Sequence, residues 1–289
     1  MGDRQPLGIS PYYGSHSEHP RSATVRRYGS DQSGTKTYTF NSLGYRGSEP
    51  SPAAKARILT SGCSYTFGEG LDYHEAWVTQ FAGRYARHRG LDAKDVDLIN
   101  LAQGGASNDY IARTVLPHLE RVEPDLVVIL FTYKSRAEVM LDDPGHPPLV
   151  ASLGPWTVDP GPNRGAPSPD QARHAAVLAE GASHYYLTYT DDSGLINALK
   201  NMLLVQLTCR AAGVDYLFSW VEHGLLEGLP EHPNPIVREL ASCLDRERFC
   251  PTAPTDRDRQ VDLAPDGVHP GPLSNAQFAS DLLAAWLSR

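Results

Sequence analysis

The sequence reads PDLVVILFT over residues 124–132, and this stretch decides the fold class. Its apolar run is unbroken, which is typical of a strand covered on both faces of a sheet. Three other runs fit short buried strands: RILTSG at 57–62, DLINLA at 97–102 and VDYLFSWV at 214–221. Because strands covered on both faces occur mainly in parallel sheets, the four runs predict a buried parallel sheet.

Helical patterns separate these strands. The clearest is EAWVTQFAGRYARHRG, where apolar side chains recur every four positions until Gly90 ends the helix. Helices are predicted at 75–90, 108–121, 170–181, 195–212, 235–244 and 274–288. Strands that alternate with helices are typical of βαβ units, so we expect a three-layer α/β/α sandwich around the sheet.

Two segments fall outside this alternation. Residues 1–40 are polar and aperiodic, so we expect an N-terminal arm in front of a domain at 41–289. Residues 140–168 are rich in Pro and Gly, and a structureless loop of that length usually has a function. Together with the tyrosine-rich stretch at 183–190, it predicts a lid-like insertion at about 140–190, although a surface loop with ordinary aromatic packing fits equally well.

Composition and charge exclude several classes of protein. Of the 289 residues, 40% are hydrophobic and 21% are charged, which is ordinary for a globular protein. The formal net charge is −8 and no block of Lys and Arg occurs, so neither nucleic acid nor a membrane surface is expected as a partner.

The N-terminal residues and the cysteines lead us to expect an intracellular protein. The first residues, MGDRQPLGISPYYGSHSEHP, contain no apolar core of a secretory signal, and the four cysteines show no CxxC spacing. We therefore expect reduced thiols and a cytoplasmic protein. No metal-ligand spacing and no phosphate-binding glycine motif occurs, so no metal and no cofactor are expected.

Chemistry is expected at the loops that follow the strands, because ligands of parallel sheets bind at the carboxyl edge. GCSYTFGEG (62–70) follows the first strand and would place Ser64 near a helix N-terminus, whose dipole favours a developing anion. NLAQGGASND (100–109) follows the second, where the N–H of Gly105 could serve as an oxyanion donor. Taken alone, both motifs also fit ordinary strand-to-helix turns.

A third motif, DGVHPG at 266–271, lies just before the last helix. Asp266 and His269 are three residues apart, a spacing that lets the carboxylate sit beside the imidazole and fix its tautomer. The other ring nitrogen would then face a nucleophile. The position of the motif between the last strand and the last helix gives the short pattern its weight.

Together these blocks resemble the SGNH, or GDSL-type, hydrolase superfamily. The matching segments are GCSYTFG, NLAQGGAS and DGVHPG, and NSLGYRG at 41–47 resembles a lead-in to the first strand of such proteins. The resemblance implies a flavodoxin-like sheet and a catalytic triad of Ser64, His269 and Asp266. It also implies that the backbone N–H groups of Ser64 and Gly105 form the oxyanion hole.

The chain departs from the family pattern in two places. Cys63 stands where the family has Asp, and it is interpreted as a small buried residue. After the third strand the family has Gly-x-Asn-Asp, whose Asn supplies an oxyanion donor, but this chain reads FTYKSRAE at 131–138. Asn108 or Thr132 could replace that donor, or it could be missing. Ser107 or Asn108 is expected to cap the helix predicted at 108–121. For Asn108, we favour this capping role over a role as oxyanion donor.

The resemblance implies a serine esterase that hydrolyses an ester of a small acylated molecule through an acyl-enzyme. Two alternatives stay open. An acyltransferase would pass the same acyl group to an alcohol or amine, and a non-catalytic binding protein would explain the missing Asn.

Overall fold

The computed structural model describes residues 22–26, 35–41, 44–141, 149–158, 169–256 and 258–289. The strands are β1 (Ser22–Arg26), β2 (Thr35–Thr39), β3 (Ala56–Ser61), β4 (Val96–Asn100), β5 (Leu126–Phe131), β6 (Ala137–Leu141), β7 (Leu149–Leu153) and β8 (Asp215–Trp220). The helices are α1 (Ser64–Phe67), α2 (Trp77–His88), α3 (Asn108–Val122), α4 (Pro155–Val158), α5 (Pro169–Thr188), α6 (Asp191–Ala212), α7 (Leu225–Gly228), α8 (Pro235–Ser242) and α9 (Pro272–Leu287). Short 3₁₀ turns lie at Tyr73–Glu75, Ala93–Asp95, Leu229–Glu231 and Arg246–Arg248.

The central sheet has the strand order β4-β3-β5-β8, and all three pairings are parallel. Ile58 in β3 lies opposite Leu98 on one side and Leu126 on the other. Every residue of β5 is buried, as its apolar run predicts for a strand covered on both faces. The expected parallel sheet is confirmed, with each strand within two residues of its predicted bounds.

Two groups of helices cover the sheet. α2 packs against α9, whereas α3 packs against α6, which in turn contacts α8. The chain crosses from β3 to β4 in one direction and from β4 past β3 to β5 and β8 in the other. Right-handed crossovers that run in opposite directions place their helices on opposite faces. The expected three-layer α/β/α sandwich is therefore confirmed.

The insertion is more ordered than its composition predicts. β6 and β7 form an antiparallel hairpin, and α5 continues to Thr188, so the tyrosine-rich stretch lies mainly on a helix. The expectation of a structureless loop is wrong for the hairpin, because cross-strand pairing stabilises it where Pro and Gly obscure its pattern, whereas the helix predicted at 170–181 is confirmed and is longer than expected. Residues 142–148 and 159–168 lie outside the described residues. Tyr186 donates a hydrogen bond to the Ser135 carbonyl at 3.1 Å, which attaches α5 to the loop after β5.

The N-terminal arm contributes a second small sheet. β1 and β2 pair antiparallel, and the chain then leads into residues that pack beside the first loop of the domain. Tyr38 and Phe40 form an apolar cluster with Phe67 and Ala102. The rest of 1–40 lies outside the described residues.

Three further features of the described residues concern membrane insertion, metal binding and the cysteines. None of the helices in the described part of the chain is long and apolar enough to cross a bilayer. Those same residues hold no cluster of three His, Cys, Asp or Glu side chains arranged to bind a metal ion. All four cysteines are free thiols, and Cys63 is fully buried.

Candidate active site

The DGVHPG motif forms a tight turn around one carboxylate. Asp266 Oδ1 accepts hydrogen bonds from the backbone N–H groups of Val268 and His269, both at 2.9 Å. Its Oδ2 lies 2.7 Å from Nδ1 of His269. Two backbone donors thus fix the carboxylate, which leaves its second oxygen pointed at the imidazole. The predicted contact between Asp266 and His269 is present.

Neighbouring charges and hydrogen bonds shift the pKa values of both members of the pair. Burial lowers the pKa of His269, but the hydrogen bond to Asp266 and the negative charges of Glu69 and Asp266 outweigh this effect, so the pKa lies above its ordinary value. The positive charge of Arg136 opposes that rise. Burial raises the pKa of Asp266, but hydrogen bonds from His269 lower it below its usual range. Asp266 is therefore an ionised partner for an imidazole of enhanced basicity.

The turn is anchored to two helices through Asn275 in the first turn of α9. The side-chain amide of Asn275 donates to the carbonyls of Pro270 at 3.0 Å and Gly271 at 2.9 Å. Its oxygen accepts from the backbone N–H of Trp77 at 2.9 Å, at the start of α2. A buried amide with all these groups paired joins the turn to the first turn of α9 and the start of α2.

Gly70 allows the loop after Ser64 to touch the acid–base pair. Its φ is +79°, and a Cβ at this position would lie 2.8 Å from Oδ2 of Asp266 and 3.0 Å from Cβ of Ala264. The backbone N–H of Gly70 also donates to the hydroxyl of Tyr38 at 2.9 Å. A side chain at residue 70 would therefore push directly on the carboxylate that orients His269.

Ser64 is the first residue of α1, immediately beyond the carboxyl end of β3. It lines a narrow cleft together with Glu69 and His269. The ring of Tyr65 lies edge-on to the imidazole, with centroids 5.5 Å apart. Within the described residues no hydrogen bond joins Oγ of Ser64 to His269, and Nε2 of His269 lies 3.9 Å from Oε2 of Glu69. The structure thus brings nucleophile and base to one cleft without forming the contact that would transfer a proton.

Two backbone N–H groups in the loops after β3 and β4 have no hydrogen-bond partner among the described residues. The N–H of Gln103 donates to the carbonyl of Gly62 at 3.2 Å, which holds the loop after β4 against the loop after β3. Neither the N–H of Ser64 nor that of Gly105 donates to any atom of the described chain. Backbone donors without partners near a buried serine are the groups that an oxyanion hole requires.

The third-block region is built differently from the expected pattern. Ser107 caps α3, because its side chain accepts from the backbone N–H of Tyr110 at 3.2 Å. The favoured interpretation of Asn108 as the cap is therefore wrong. Instead, the amide of Asn108 donates to the carbonyl of Thr132 at 3.1 Å and accepts from its N–H at 2.9 Å. This pair ties the start of α3 to the end of β5.

Arg136 lies beside this junction and was not anticipated from the sequence. Its guanidinium is buried and donates to Oγ1 of Thr132 at 2.9 Å and to the carbonyl of Ala106 at 3.2 Å. It also lies over the ring of Tyr133, 4.9 Å from the centroid. A positive charge therefore lies next to Ala106, the residue that follows Gly105.

Arg46 gives the NSLGYRG motif a physical role. Although it is almost completely buried, its guanidinium donates to the carbonyls of Phe67 and Gly68, both at 2.6 Å, and of Leu71 at 2.7 Å. It lies 4.3 Å from the ring centroid of Tyr38. A cation that pairs the last carbonyls of α1 fixes the loop behind Ser64. Its signal in the sequence is the single charged residue in an otherwise uncharged motif.

Comparisons with known proteins give distant structural likenesses. No family model matches the chain, and a search of curated proteins finds no relative. Among solved structures, TesA is 15% identical over 79% of this chain and 97% of its own, with a TM-score of 0.43. The esterase EstA from Pseudoalteromonas sp. is 14% identical over 81% of this chain and all of its own, with a TM-score of 0.41. A G-D-S-L family lipolytic protein from Desulfitobacterium hafniense is 9% identical over 80% and 99%, with a TM-score of 0.43. Likenesses this distant do not carry an activity over to this chain.

Proposed function

We propose that this protein is an SGNH-type serine hydrolase that cleaves an ester of a small acylated molecule. The observation that carries the proposal is the Asp266–His269 pair, held at 2.7 Å in the same cleft as Ser64. The available N–H groups of Ser64 and Gly105 support it, because acyl transfer needs donors for the oxyanion as well as a nucleophile and base.

The proposed reaction proceeds through an acyl-enzyme. Nε2 of His269 takes the proton from Oγ of Ser64 while Oγ bonds to the acyl carbon, and Asp266 stabilises the imidazolium. The two N–H groups hold the oxyanion. The bond from the acyl carbon to the alcohol oxygen then breaks, and His269 returns the proton to that oxygen. Water repeats the sequence and releases the carboxylic acid.

Two features of the site bear on rate. Ser64 and His269 do not yet share a hydrogen bond, and in unliganded hydrolases such contacts often tighten only with substrate. The side-chain amide of Asn108, the expected substitute for the third-block Asn, is paired with the backbone of Thr132 instead, and loss of one oxyanion donor typically costs on the order of 10² to 10³ in rate. We therefore expect modest turnover, best observed with activated esters such as p-nitrophenyl acetate.

Covalent labelling tests the proposal. A fluorophosphonate probe should label the full chain at Ser64, and Ser64→Ala should abolish both labelling and hydrolysis of p-nitrophenyl acetate while the melting temperature stays close to that of the unaltered chain. The neighbouring Cys63→Ala is the matched control and should retain labelling. If labelling is lost in Cys63→Ala but kept in Ser64→Ala, the assignment of Ser64 as the nucleophile is wrong. A folded chain that is never labelled would instead be a binding protein.

A further inference from the structure

Glu69 occupies a position in the cleft that the proposed reaction does not use. Its backbone N–H donates to the carbonyl of Ser64 at 3.0 Å, so it follows directly from the turn of helix that carries the nucleophile. Its Oε2 lies 3.9 Å from Nε2 of His269, the nitrogen opposite the one that contacts Asp266. The imidazole thus has a carboxylate on each of its two nitrogen edges.

The surroundings fix this carboxylate in place. A Cβ on Gly104 would lie 3.0 Å from Oε2 of Glu69, so the acid lies against the loop after β4. Arg46 holds the carbonyls of Phe67 and Gly68, the two residues just before Glu69 in the chain. Arg46 therefore holds the main chain that leads into Glu69, and the loop after β4 lies against its carboxylate.

We propose that Glu69 is a positioning residue of this site, whose carboxylate engages the protonated Nε2 edge of His269 and sets how readily the imidazole serves as base. The inference rests on the proposed function, because only a hydrolase that uses His269 as base expresses this effect as a rate. Glu69 stabilises the imidazolium that forms when Ser64 loses its proton. It also competes with Ser64 for the same ring edge at low pH.

Among the described residues, four groups contribute to this balance around the imidazole. Asp266 comes from its own turn, Glu69 and the ring of Tyr65 come from α1 and the turn after it, and Arg136 comes from the loop after β5. The two carboxylates favour the charged imidazole, whereas burial and Arg136 disfavour it. Removing the charge of Glu69 therefore leaves a weaker base that is neutral over a wider pH range.

The test is the pH profile of fluorophosphonate labelling at Ser64 in the full chain. Glu69→Gln should move the acid-side midpoint to lower pH, so labelling below the original midpoint rises by about threefold or more. Above the midpoint labelling should fall by about twofold, because the base is weaker. Glu69→Asp keeps the charge on a shorter side chain and should give a profile between the two. A role limited to loop structure would lower labelling at every pH.

The control is Glu120→Gln, which removes one exposed charge near the far end of α3. A midpoint in Glu69→Gln equal to that in Glu120→Gln would overturn the inference. An NMR titration of the His269 ring in the same chains separates the two proposals. If Ser64 is never labelled, the proposed function fails, and the titration still decides whether Glu69 raises the pKa of His269.

Discussion

The candidate site has an acid–base wall, the turn at 266–271, and an oxyanion wall, the junction of the loop after β4 with the end of β5, and different kinds of contact hold the two. On the acid–base wall, Asp266 and His269 form a turn of their own, and Asn275 ties that turn to two helices. On the oxyanion wall, the side chains of Asn108 and Arg136 both bind Thr132 at the end of β5. Arg136 also binds the carbonyl of Ala106 in the loop after β4. The first wall is local to one turn and follows from the DGVHPG spacing, whereas the second depends on side-chain contacts between separate loops.

This difference indicates that the residues of the oxyanion wall can be substituted more freely than those of the acid–base pair. The acid–base pair requires a carboxylate within hydrogen-bond distance of the imidazole, and both oxygens of Asp266 already have hydrogen-bond partners. The oxyanion wall needs only N–H groups near the acyl oxygen, and these come from the backbone of Ser64 and Gly105. The side chains that support these backbone donors can be substituted as long as the loop conformation, and with it the position of the N–H groups, is kept.

The largest effect is expected at the acid–base wall. Asp266→Asn should lower kcat for p-nitrophenyl acetate by about 10³ to 10⁴, because the amide cannot stabilise the imidazolium or hold the required tautomer. Its Oδ1 can still accept the two backbone bonds, so circular dichroism should show an intact fold. A loss of less than about tenfold would remove Asp266 from the triad.

A smaller loss is expected when the loop presses on the carboxylate. Gly70→Ala should lower kcat by about 10 to 10², because the new Cβ would lie 2.8 Å from Oδ2 of Asp266. Gly90→Ala is the matched control: it has a φ of +66°, with no atom within 4 Å of the added Cβ. Both should cost about 1 kcal/mol or more of stability, but only Gly70→Ala should slow the reaction. Equal rates in the two variants would show that the close approach is unimportant.

The pH dependence should follow the raised pKa of His269. The neutral imidazole is the base, so kcat/KM should fall about tenfold per unit below a midpoint that lies above the ordinary histidine value. Stability should change in the opposite sense. A group whose pKa is raised in the folded state stabilises it at low pH, and that contribution is lost as the pH rises through the raised value. Rate and chemical-denaturation profiles on one sample would test both signs.

The smallest effect on rate is expected at the oxyanion wall. Asn108→Ala leaves the N–H and carbonyl of Thr132 without their partner and should cost about 1 to 3 kcal/mol of stability. Ser107→Ala, which removes only the helix cap, should cost about 1 kcal/mol. In Asn108→Ala we expect kcat within about threefold of the parent value. A fall of about 10² with unchanged KM would assign Asn108 a direct role in the transition state.

The sequence predicts the central sheet well because its signal is local. Apolar runs such as LVVILF indicate strands without any knowledge of their neighbours, and the DxxH spacing indicates a contact within one turn. The hairpin β6–β7 was missed because its pairing connects residues across a stretch rich in Pro and Gly.

The missed site residues depend on contacts between distant parts of the chain. Glu69 and Gly70 acquire their roles only when the loop after β3 meets the turn that precedes α9. Arg46 reads as one charge in a loop until the carbonyls of Phe67 and Leu71 surround it. None of these approaches follows from periodicity or spacing, because each is decided by how the layers pack.

The turn around Asp266 has a consequence for how the site assembles. Closing a chain segment costs entropy that grows with the number of residues enclosed, and only two residues separate Asp266 from His269. Ser64 lies about 200 residues earlier in the chain, so bringing it to the pair encloses nearly the whole domain. The acid–base pair can therefore form early and locally, whereas its distance from the nucleophile is set last, by the completed sheet.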